Sequence, residues 1–119
     1  MFEVEYDEHA NCLEIIVNGF WNRETVLAFA DAFTMRARSA RAVRTDFDVL
    51  VESLQFPVQA NDVADLLTEV MRAGMTQTTG RAAVVVGSQL NKLQAMRTLT
   101  HPRVRVFLDL HDARNWLTA

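Results

Sequence analysis

From Phe2 to Asp7 the chain alternates. Phe2, Val4 and Tyr6 fall on one side, and Glu3, Glu5 and Asp7 fall on the other. Successive side chains of a strand point to opposite faces, so this pattern predicts a strand with one wet face. Acidic side chains on that face also discourage edge-to-edge pairing. Glu8-His9-Ala10-Asn11 reads as a turn, with Asn11 able to adopt a positive φ at little cost. A second strand is predicted over residues 12–17, closed by Asn18-Gly19. Two strands joined by so short a link form an antiparallel hairpin.

The period then changes to that of a helix. Asn22 is placed to cap it, and Val26, Phe29, Ala30, Phe33 and Ala37 form an apolar stripe, predicting a helix from about 23 to about 39. A third strand is predicted over 47–51, with Pro57 blocking sheet pairing near Phe56. The next helix starts at Ala60 or Asn61. Val63, Leu66, Leu67, Val70 and Met71 make its inward stripe, and Gly74 fits the position after a helix end. A polar connection over 75–80 follows.

Residues 82–86 do not alternate. They are five apolar residues in a row, three of them β-branched, between Gly80 and Gly87. A strand with no polar face has both faces covered, which marks an inner strand of a parallel sheet flanked by helices. Ser88 caps a third helix in which Leu90, Leu93, Met96 and Leu99 are expected to face inward. His101-Pro102 ends that helix. A last strand over 104–108 and a short helix capped by Asp109, with Ala113, Trp116 and Leu117 inward, complete the chain. The order is β-β-α-β-α-β-α-β-α, an α/β domain with a mostly parallel sheet. No repeat or linker interrupts it, so residues 1–119 are read as a single domain.

Composition narrows the function classes. The net charge of −3 lacks the basic surplus of a nucleic-acid binder. No apolar run is long enough to span a bilayer. The acidic start carries no basic-then-apolar secretory signal, so a cytoplasmic location is expected. Cys12 is the only cysteine, which excludes an internal disulfide.

Three pieces of this pattern resemble the STAS domain of the SpoIIAA-like fold, a family that includes anti-sigma factor antagonists and the cytoplasmic domains of sulfate transporters. They are the hairpin ending in Val17-Asn18-Gly19, the strand 82–86 running into Gly87-Ser88, and the close Val104-Arg105-Val106-Phe107 followed by Asp112-Ala113-Arg114-Asn115-Trp116-Leu117. The resemblance covers nearly the whole chain, and its motifs specify the fold well and the activity poorly. Antagonists of the family carry an Asp-Ser-Ser-Gly type segment, with a phosphorylated serine, between the third strand and the next helix. Here that region reads Glu52-Ser53-Leu54-Gln55-Phe56-Pro57-Val58-Gln59-Ala60-Asn61-Asp62. The helix start offers no hydroxyl, and Ser53 lies upstream of it on the strand exit. The resemblance therefore implies a binding module without the usual serine phosphoswitch, with Ser53 the one phosphosite candidate.

The candidate chemistry is sparse. Ser53 beside Glu52 has no Gly-x-Ser-x-Gly elbow, and a serine nucleophile needs a base in reach, so no catalytic set is assigned. His9, His101 and His111 are far apart. Only His9 has a nearby second ligand, Cys12, and no third stands out, so no metal or cofactor is expected. Cys12 reads as a small apolar group, with activation by a charged His9 as the alternative. Arg36, Arg38, Arg41 and Arg44 read either as a helix end complementing its dipole or as a surface for an anionic partner.

Loops at the carboxyl ends of parallel strands are where open α/β sheets bind things. Phe20, Trp21, Ser53, Phe56, Gly87 and Ser88 all fall there and form the candidate binding surface. The aromatics are either a lid over the core or anchors of a pocket or docking patch. The expected function is non-catalytic binding of another protein. The alternative is a carrier or sensor of a small apolar or anionic ligand, which a closed cavity would favour over an exposed patch. A homodimer, the commonest oligomer, is compatible with either.

Overall fold

The computed structural model describes residues 1–119. The alternating start forms β1 (Phe2–Asp7), which pairs antiparallel with β2 (Cys12–Asn18), Phe2 opposite Val17 and Tyr6 opposite Leu13. Asn11 takes the left-handed conformation at φ 51° that the turn demands. Its side chain accepts from the Tyr6 hydroxyl at 2.7 Å and donates to Asp46 at 3.1 Å, and so ties the hairpin to the loop before the third strand.

Helix α1 (Arg23–Val43) is capped by Asn22, whose side chain accepts from the Thr25 amide at 2.9 Å. It runs four residues beyond the predicted end. Ala40 lies three residues past Ala37 on the same stripe and is also fully buried, so packing carries the helix on. β3 (Asp48–Gln55) is likewise longer than predicted. It pairs with β2 on one side and with β4 (Ala82–Val86) on the other, out to Ser53 opposite Val86. β4 in turn pairs with β5 (Val104–Phe107). The sheet order is β1-β2-β3-β4-β5, parallel from β2 onward. All five residues of β4 are buried, as its unbroken apolar run requires.

Helices α1, α2 (Asn61–Met75) and α3 (Gln89–Thr98) lie over one face. Helix α4 (Leu110–Thr118) covers part of the other, packing Ala113 against Leu50, Ala83 and Val85. The Arg81 guanidinium sits 4.6 Å from the centre of the Trp116 ring and donates to the Leu117 carbonyl at 3.4 Å, fastening α4 to the start of β4. No helix is long and apolar enough to cross a membrane.

Two expectations are corrected. Gly74 does not end α2 with a positive φ; it lies inside the helix. A β-carbon there would stand 2.6 Å from Cζ of Phe33, so the glycine is what lets α2 approach α1. The second correction concerns α3. Leu90, Leu93 and Met96 do not face inward; they are 68%, 60% and 56% exposed, and no residue of α3 is fully buried. The side turned to the sheet carries Asn91, Gln94, Ala95 and Thr98 instead.

Candidate functional site

That inverted orientation of α3 shapes the site. Small and polar side chains on α3 do not fill the space above the sheet, and a cavity of about 160 Å³ remains between the sheet, α1, α2 and α3. Its floor is the face of the sheet formed by Val51, Ser53, Val84 and Val86. Leu67 and Met71 of α2 wall one side and Ala95 and Thr98 of α3 another, with Phe56 among the lining residues from the β3–α2 loop. Leu67, Val70 and Met71 stay half-buried because no apolar helix face closes over them. Of the 24 residues around the cavity, 18 are hydrophobic and none is charged.

The six candidate residues do not form one surface. Phe20 points to solvent at 80% exposure, whereas Trp21 is buried at 6%. The Trp21 ring stacks edge-on against Phe56 at 5.0 Å and packs against Phe29 at 5.3 Å, so it stands one layer behind the cavity wall. Ser53 and Phe56 line the cavity itself. Ser53 is 4% exposed and donates to the Val85 carbonyl at 2.6 Å, a position that a kinase does not reach in the folded chain. Gly87 and Ser88 are exposed. Ser88 caps α3, its hydroxyl accepting from the Asn91 amide at 3.1 Å, which occupies one of the free N–H groups an anion would use.

The pattern gave no sign of Gln59. This buried side chain accepts from the Trp21 amide at 2.8 Å and donates to the carbonyls of Gly19 at 3.0 Å and Pro57 at 2.7 Å. It latches the β2–α1 loop to the β3–α2 loop and so holds Trp21 and Phe56 together. The polar lining of α3 was also missed, although Asn91, Ala95 and Thr98 stand at i, i+4 and i+7 and make a stripe of their own.

The remaining reactive groups lie elsewhere. No histidine or carboxylate lines the cavity beside Ser53. His9 is exposed. Nδ1 of His101 accepts from the Arg103 amide at 3.0 Å, and His111 meets Asn115 at 3.2 Å. Burial, with Glu14 and Asp48 adding to it, pushes the Cys12 thiol up to about 12, so it stays protonated and its activation by His9 is not realised. The histidine, cysteine and carboxylate side chains form no group of three or more that could hold a metal ion. Among the arginines, Arg44 bridges Asp46 at 2.7 Å and holds that carboxyl below its ordinary range. Arg36, Arg38 and Arg41 project from α1 into solvent without a salt bridge.

Compared with known proteins, the chain matches no protein-family model and none of the curated proteins.

Proposed function

We propose that this chain is a cytoplasmic STAS-like module of the SpoIIAA-like type that acts by binding, without chemistry of its own, and that its ligand is a small apolar molecule held between the sheet, α2 and α3. One observation carries the reading: an uncharged cavity of about 160 Å³ above the sheet, lined mostly by hydrophobic side chains. A core of this size closes by packing, since interiors are filled to the density of organic crystals. Here the three apolar residues of α3 that would fill the space face water instead. The aromatics expected at a docking patch support the same reading, because Phe56 lines the cavity, Trp21 packs behind it and only Phe20 is presented outward.

Docking of a protein partner is the second reading, favoured by the exposed row Leu90, Leu93 and Met96. The two are separated by extracting the chain, purified from its own host, with organic solvent and analysing the extract by gas chromatography and mass spectrometry. A small neutral compound that co-purifies with the wild type and is missing from Ala95→Leu, whose larger side chain fills the cavity, is the expected result. The same compounds in both extracts, or none in either, would remove the support for a ligand and leave protein docking as the better account.

A further inference from the structure

The lining of the cavity specifies more than apolarity. We propose that the ligand is a compact neutral molecule of about one aromatic ring, with at most one hydrogen-bonding group, and that this group meets Gln94. The inference rests on the cavity being the binding site.

Size comes first. The volume of about 160 Å³ is close to the roughly 150 Å³ of an apolar cavity known to hold benzene. It falls below the range of roughly 300–1,000 Å³ typical of pockets for drug-sized ligands. A long alkyl chain would leave much of its length outside this volume, in the open mouth of the cavity. The wall offers the right surface for a ring: Phe29, Phe33 and Phe56 supply aromatic faces and edges, and Met71 and Met75 supply polarizable sulfur.

Charge comes second. None of the lining residues is charged. Placing a carboxylate or phosphate there would strip its water with no cation to replace it, at a cost of several kcal/mol. Two helix N-termini lie beside the cavity: that of α3 is capped by Ser88 of the chain itself, and that of α2, at Ala60, has no side-chain cap but brings no cation to the lining.

Hydrogen bonding comes third. Five polar residues touch the cavity: Ser53, Gln59, Asn91, Gln94 and Thr98. Ser53 donates to the Val85 carbonyl, Gln59 to those of Gly19 and Pro57, Asn91 to that of Phe56 and Thr98 to that of Gln94. No buried side-chain nitrogen or oxygen lacks a partner. Among these five only Gln94, a half-buried residue of the lining, has a side chain that makes no hydrogen bond within the chain, and its amide is open to water. It can both donate and accept, so it suits a single hydroxyl or ring N–H.

The test is a titration of methyl-labelled protein with toluene, phenol and dodecanoate, read from the methyl resonances of Met71, Val84 and Val86. Toluene and phenol are expected to shift these signals saturably and dodecanoate is not. Gln94→Leu should weaken phenol about fivefold, the value of one net hydrogen bond, and leave toluene as tight or tighter. Ala95→Leu should abolish both; if that variant does not fold, Ala64→Leu fills the cavity from α2. Equal loss of phenol and toluene in Gln94→Leu would overturn the role of Gln94. Shifts with dodecanoate alone would overturn the ligand class while leaving the cavity a binding site. No shift with any of the three would overturn both.

Discussion

Ser53 on β3 gives its hydroxyl proton to the carbonyl of Val85 on β4, at 2.6 Å, underneath the cavity. The bond fixes the serine inside the sheet, where a phosphoswitch would need it free. Ser53→Ala removes one buried hydrogen bond and should cost about 1 kcal/mol in urea unfolding. Ser53→Glu forces a carboxylate against an uncharged wall and should cost more than about 3 kcal/mol, or prevent folding. Equal effects of the two substitutions would show that Ser53 is not enclosed.

The exposed row on α3 gives a prediction of opposite kind. If Leu90, Leu93 and Met96 were core residues, truncation of any of them would cost about 2–5 kcal/mol. Facing water, each should accept glutamine with a change within about 0.5 kcal/mol. Thermal unfolding of Leu90→Gln, Leu93→Gln and Met96→Gln decides it, and a loss of several kcal/mol at any one would return that side chain to the core.

Alkaline pH should weaken the fold through Cys12. In the unfolded chain the thiol ionises near its ordinary value of 9.0, while the folded chain keeps the proton up to about 12. Between those values the folded state binds the extra proton, so stability falls as pH rises. Tyr6, also raised by burial, adds to the fall above its own ordinary value of 10.0. Denaturation midpoints from pH about 8 to about 11 should therefore drop less steeply for Cys12→Ala than for wild type. Parallel curves would mean that the thiol ionises alike in both states.

Gly87 is exposed, and substitutions at exposed sites usually change stability by less than about 0.5 kcal/mol. Here a β-carbon would stand 2.5 Å from the carbonyl oxygen of Leu54, a backbone atom that cannot turn aside. Gly87→Ala should therefore cost about 1–3 kcal/mol. Unfolding by denaturant measures it, and a neutral result would mean that the β3 and β4 exits can move apart.

The strands were readable because their signals are local. Alternation in β1 and the unbroken apolar run of β4 each state how many faces are covered. So were the caps at Asn22, Ser88 and Asp109, whose side chains bond within the next turn. The misreadings concern relations between distant residues. Helix α3 holds two stripes, and periodicity does not say which one meets the sheet; Leu90, Leu93 and Met96 looked inward and lie outside, whereas Leu99, just past the helix, lines the cavity as expected. Gly74 carries the mark of a helix end, but its reason is Phe33 on another helix. The site was legible only as far as strand exits are. Ser53 and Phe56 were found that way, whereas the Gln59 latch and the cavity beneath α3 depend on which loops and faces come together.

In this sheet the order of the strands in space is their order along the chain. A nascent polypeptide leaving the ribosome can therefore add one strand at a time, each onto the neighbour just completed, with no gap left for a later arrival. Each parallel pair still joins residues 22 to 37 positions apart, so every closure is a crossover through a helix and not a short loop. The exception is the face that α4 covers. Leu50, Ala83 and Val85 stay bare until α4 is made, so a chain stalled before Leu110 would display a fresh apolar patch, a natural mark for chaperones and proteases to read.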